Sequence, residues 1–131
     1  MLNELSKEIH KNAVDHGWWD HPRQTLPETI ALCHSELSEA LEEYRNHKPM
    51  AYIVCDLCPH QAKPGYNCAE LDTCPNAEHR DKPEGVAVEM IDCIIRILDF
   101  CGYHEIDIDT LLKAKHEYNI TRPYRHGGKH I

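Results

Sequence analysis

The stretch Glu89–Phe100, EMIDCIIRILDF, constrains this chain most. Read as a helix, it is apolar on nearly every side, yet it carries Glu89, Asp92 and Asp99. At 100° per residue, Glu89, Asp92, Arg96 and Asp99 share an arc of roughly 80°. Such a helix is expected to be nearly surrounded by protein, with one narrow polar stripe. Carboxylates there are costly unless something compensates them. Arg96 is a candidate partner for Asp92 or Asp99, so Asp99 is not assigned to a metal. A hard divalent cation is the expected compensation for Glu89 and Asp92.

A second acidic edge lies upstream. Thr25-Leu26-Pro27-Glu28 reads as a capping box with proline in the first turn, opening a helix to about Asn46, before Pro49. Its apolar face is Ile30, Cys33, Leu37, Ala40, Leu41 and Tyr44, and Glu36, Glu39 and Glu43 run along the edge of that face. Packing the two helices on their apolar faces brings Glu36, Glu39, Glu89 and Asp92 together. The competing reading of the upstream acids is a solvated helix face.

Two further helices complete the expected fold. Leu2, Leu5, Ile9 and Ala13 recur at helical spacing over residues 2–15, before Gly17. After a helix over residues 84–101, closed by Gly102, Asp107 or Asp109 opens a fourth helix through about Asn119. Residues 49–83 break the pattern with five prolines and four cysteines. The expected architecture is therefore all-α: one domain over residues 1–131, a bundle of about four helices, with a cysteine-rich insert between the second and third.

Cys55, Cys58, Cys68 and Cys74 in that insert have x2, x9 and x5 spacing. Cys55 and Cys58 form a good half of a zinc site, with His60 and His79 as substitutes for one thiolate. Structural Zn2+ is the reading adopted, with disulfides and unligated thiols as the alternatives. Cys33, Cys93 and Cys101 fall at helical core positions and read as small buried thiols.

The net charge of −8 argues against a binder of duplex nucleic acid, which needs a basic footprint. No apolar run nears the roughly 18 residues of a membrane span. The start reads as an amphipathic helix rather than a signal peptide, so the cytoplasm is the expected location. Basic residues gather from Lys113 onward. Trp18 and Trp19 offer flat faces for a base, although one of the two is expected to plug the core.

Three segments together, HSELSEALEEYR, GVAVEMIDCIIRI and KHEYNITRPYRHGGK, resemble the MazG-like all-α nucleoside triphosphate pyrophosphohydrolases. That family carries ExxE on one helix and ExxD on the next. Here these are Glu36-Leu37-Ser38-Glu39 and Glu89-Met90-Ile91-Asp92. The family often doubles the leading glutamate, where this chain has Ser35, and the cysteine-rich insert is not part of its pattern. The resemblance covers residues 16–46 and 84–129. It implies Mg2+-dependent cleavage of a nucleoside triphosphate to monophosphate and pyrophosphate, and a homodimer or homotetramer. Glu36, Glu39, Glu89 and Asp92 are then the metal and catalytic carboxylates, with Glu39 the candidate base. Lys115, Asn119, Arg122 and Lys129 are candidates to hold the phosphates, and Trp18 the base. A zinc-stabilised, non-catalytic binding module is the alternative of another class. Phosphoribosyl-ATP is the alternative substrate for the same site.

Overall fold

The computed structural model describes residues 1–20, 25–55 and 81–124. They form four helices and one antiparallel ribbon: α1 (Leu2–Asp15), α2 (Leu26–Arg45), β1 (Tyr52–Cys55), β2 (Asp81–Glu84), α3 (Val86–Tyr103) and α4 (Ile108–Ile120). The chain is mainly helical, as expected. The ribbon at the two ends of the insert is a departure. Its register pairs Tyr52 with Glu84 and Cys55 with Asp81. No helix among the described residues is long and apolar enough to cross a membrane.

The chain divides into two compact units, Met1–Arg23 with Leu98–Ile131, and Gln24–Ile97. In the first, α1 lies against the end of α3. The Ser6 hydroxyl donates to the Leu98 carbonyl at 2.6 Å. His10 Nδ1 meets the Asp99 carboxylate at 2.8 Å, and Trp19 Nε1 donates to both Asp99 oxygens at 3.0 and 3.1 Å. Trp19 stacks on Tyr103 with ring centroids 4.1 Å apart, so it is the tryptophan that packs inside. These partners compensate the buried Asp99 without a metal.

Gly102 does not close α3, which runs one residue past it. A Cβ at Gly102 would sit 2.6 Å from the Ser6 carbonyl oxygen and 2.7 Å from His10 Cβ. The glycine is required by the close approach of α1. The helix closes two residues later, with Glu105 at φ 51° and the Ile106 N–H returning to the Cys101 carbonyl at 3.0 Å. Asp107 caps α4 through Thr110 N–H at 3.1 Å.

In the second unit, the capping box of α2 is formed: Thr25 Oγ1 accepts from Glu28 N–H, and Glu28 Oε2 accepts from Thr25 N–H at 2.6 Å. Thr29, Glu36 and Ala40 are the buried residues of this helix, on one stripe. The apolar residues beside that stripe are not covered. Ile30, Leu37, Leu41 and Tyr44 are 45–64% exposed, and on α3 Met90, Ile94 and Ile97 are 47–52% exposed. The expectation that α3 is nearly surrounded by protein fails within one chain. Of the three helical thiols, Cys93 is buried and Cys33 and Cys101 are half-buried. Burial pushes the Cys33 and Cys101 thiols up, with the Cys93 thiol adding to the effect on Cys33.

Candidate metal centre

The site lies wholly in the second unit, on α2 and α3. Oxygen atoms of Glu36, Glu89 and Asp92 all fall within 4.8 Å of one another. The i,i+3 spacing of Glu89 and Asp92 projects both from one edge of α3. Glu36 faces them from the buried stripe of α2. Glu36 is 6% exposed and Glu89 8%. Arg96, one turn beyond Asp92, places Nε and Nη2 each 2.5 Å from Glu36 Oε1. The arginine read as a candidate partner for Asp92 or Asp99 hydrogen-bonds Glu36, and its charge also pulls the Asp92 carboxyl down.

The Glu89 carboxylate has neither a hydrogen bond nor an ion pair among the described residues. Its pKa is raised, first by burial and then by the charges of Glu39, Asp92, Glu84 and Glu36. Asp92 is raised by burial and by Glu36, against the lowering pull of Arg96 and Lys82. A buried acid of this kind, turned toward two others, is what a hard cation relieves. The all-oxygen donor set suits magnesium.

Glu39 stands outside the trio. It is exposed, and it accepts a hydrogen bond from Ser35 Oγ at 3.2 Å. It is nevertheless the first charge that Glu89 feels. Ser35 thus orients Glu39 from the preceding turn of α2.

Other expected site residues belong to the first unit or fall outside the described residues. Trp18 is 60% exposed, and Lys115, Asn119 and Arg122 are exposed on α4 and the turn after it; all four belong to the first unit. Lys115 Nζ sits 5.1 Å from the Tyr118 ring centre. Lys129, Cys58, Cys68, Cys74, His60 and His79 lie outside the described residues. Cys55 is described only as the backbone end of β1, so the zinc reading has no described geometry.

Sequence reasoning passed over the ribbon. Tyr52 and Val54 of β1 share a face with Lys82 and Glu84 of β2, because cross-strand partners point the same way. Tyr52 Oη donates to Glu43 Oε2 at 2.9 Å, so that face meets the acidic edge of α2. Burial and this glutamate push the Tyr52 hydroxyl up to about 12. Lys82 pairs with Glu84 at 2.5 Å. Its ammonium is held charged first by Glu84 and further by Glu89 and Asp92. The available signal was the Lys-Pro-Glu-Gly run ahead of α3, where alternation puts Lys82 and Glu84 on one side.

No family model, curated protein or solved structure matches this chain.

Proposed function

We propose that this chain is a magnesium-dependent nucleoside triphosphate pyrophosphohydrolase on a MazG-like helical bundle, releasing nucleoside monophosphate and pyrophosphate. The observation that carries the reading is the cluster of Glu36, Glu89 and Asp92, whose carboxylate oxygens come within 4.8 Å of one another on two largely enclosed helix edges. These three carboxylates would hold the ion. Bound there, magnesium supplies positive charge against the phosphate oxygens.

The chain's own groups have distinct tasks. Arg96 anchors Glu36 through its Oε1. Glu39, exposed and beside the trio, takes the proton of the attacking water. The same reading gives Lys115, Asn119, Arg122 and Lys129 a phosphate-holding role and Trp18 a base-stacking role. Each is checked by a rise in KM on substitution.

The reading includes a homo-oligomer, a dimer or a tetramer. Ile30, Leu37, Leu41 and Tyr44 fill an arc of about 60° on α2, and Met90, Ile94 and Ile97 a similar arc on α3. Exposed apolar stripes of this kind mark surfaces that another protein covers, and a second copy is the occupant that the resemblance implies. Structural zinc in the cysteine-rich segment is a separate part of the proposal. Metal analysis of the purified protein, at one zinc per chain, tests it.

The deciding experiment is a panel of nucleoside triphosphates with Mg2+, with phosphoribosyl-ATP beside them. Monophosphate and pyrophosphate in equal amounts, lost on Glu89→Gln, support the reading. Absence of turnover on the whole panel leaves the zinc-stabilised binding module in its place.

A further inference from the structure

One divalent ion and Arg96 together balance the three carboxylates of the centre, and the proposed substrate brings further negative charge. A triphosphate tail approaching Glu36, Glu89 and Asp92 needs a second source of positive charge. Arg96 is already committed to Glu36. The ribbon at the base of the insert supplies another. Its attachment is tight: the Ala87 N–H donates to the Met50 carbonyl at 2.8 Å. A Cβ at Gly85 would meet the Pro49 carbonyl oxygen at 2.7 Å and that of Met50 at 2.9 Å. Only glycine allows this crossing, at φ 117°. The crossing fixes the ribbon to the first turn of α3, and the Tyr52–Glu43 hydrogen bond fixes the same face to α2.

We propose that Lys82, carried to the carboxylate centre by this ribbon, binds the polyphosphate tail of the substrate and exchanges its Glu84 partner for phosphate oxygens. The inference rests on the hydrolase reading and adds a residue from the insert, outside the ExxE and ExxD motifs. Three observations support it. Lys82 lies on the ribbon face that carries Tyr52 and Glu84 and meets the acidic edge of α2. Its side chain is 58% exposed, so it reaches solvent and incoming ligand. The charges of Glu89 and Asp92 act on it, and both belong to the carboxylate cluster with Glu36. The lysine end of the Lys82–Glu84 pair is open to solvent, which screens the pair and limits what it adds to stability. Lysine is a flexible point charge suited to follow a phosphate tail.

The test is a calorimetric titration with Mg2+ and inorganic tripolyphosphate, run beside steady-state turnover of triphosphates. Lys82→Ala is expected to weaken tripolyphosphate binding about tenfold or more, and to raise KM more than it lowers kcat. Lys82→Arg keeps the charge and stays within about threefold of wild type. Equal binding by wild type and Lys82→Ala, equal loss in both variants, or no binding by wild type overturns the proposal. Wild type that binds tripolyphosphate through Lys82 but turns over no triphosphate sinks the hydrolase reading and leaves the phosphate contact standing.

Discussion

Replacing Glu89 by glutamine separates a metal site from an ordinary acidic surface, because the two effects have opposite sign. Without metal, the Glu89 charge is a liability: the group is 8% exposed, unpartnered, and within 4.8 Å of Glu36 and Asp92. Glu36 is paired with Arg96, and the charges that weigh most on Glu89 are Glu39 and then Asp92, the second of which lies in the cluster. At 4.8 Å, Coulomb's law gives about 3 kcal/mol for an effective dielectric of about 20, and about 1 kcal/mol for that of water. Glu89→Gln keeps the shape and removes this term. With a chelator present, the variant is expected to melt above wild type by about 3–10 °C, since 1 kcal/mol moves a domain of this size by a few degrees.

With Mg2+ the order reverses. A ligand at about 100 times its Kd stabilises the folded state by about 2.7 kcal/mol, so wild type gains several degrees while Glu89→Gln gains little. The assay is thermal unfolding of both proteins across a Mg2+ titration, with Ca2+ and Na+ as controls. Equal Mg2+ shifts in the two proteins, or a variant less stable than wild type in chelator, would refute the reasoning.

The remaining predictions concern pH, packing and capping. Folded Glu89 and Asp92 hold protons more tightly than the unfolded chain, so metal-free stability rises as pH falls through their folded values toward the ordinary 4.5 and 3.8. Glu4, Glu28, Asp107 and Asp109 are held low and work the other way, losing their contribution as pH falls below those ordinary values. Melting temperature against pH should show the rise in wild type and a flatter curve in Glu89→Gln. Gly102→Ala sets a methyl 2.6 Å from the Ser6 carbonyl oxygen and is expected to cost about 1–3 kcal/mol in urea unfolding, outweighing the roughly 1 kcal/mol helix preference of alanine. Thr25→Ala removes the capping box and should cost about 1 kcal/mol by the same measurement.

Local signals were legible in the sequence. The Thr25–Glu28 box and the Asp107 cap are written in residues three apart, and each structure forms where its residues fall. The i,i+3 pair of Glu89 and Asp92 is likewise local, and Glu36 stands beside it as expected, although the apolar faces expected to bring the helices together are left exposed. Features set by tertiary contact were not legible. Gly102 has the residue type of a helix end, but its role comes from α1 crossing at Ser6 and His10. The partner of Arg96 depends on which side of α2 faces α3, and that side carries Glu36. His10 gave no signal, because its role depends on Asp99 far away in the chain. The strand Tyr52–Cys55 is four residues inside a proline-rich stretch, too short for alternation to stand out. Ile30, Leu37 and Leu41 were read as core because periodicity identifies an apolar face without identifying what covers it.

The most direct test of the central claim is anomalous scattering from crystals grown with Mn2+ and a non-hydrolysable nucleoside triphosphate. The account predicts a peak at coordination distance from Glu36, Glu89 and Asp92, with phosphate oxygens completing the shell. Triphosphate bound elsewhere, or a peak that leaves these three carboxylates uncoordinated, contradicts it.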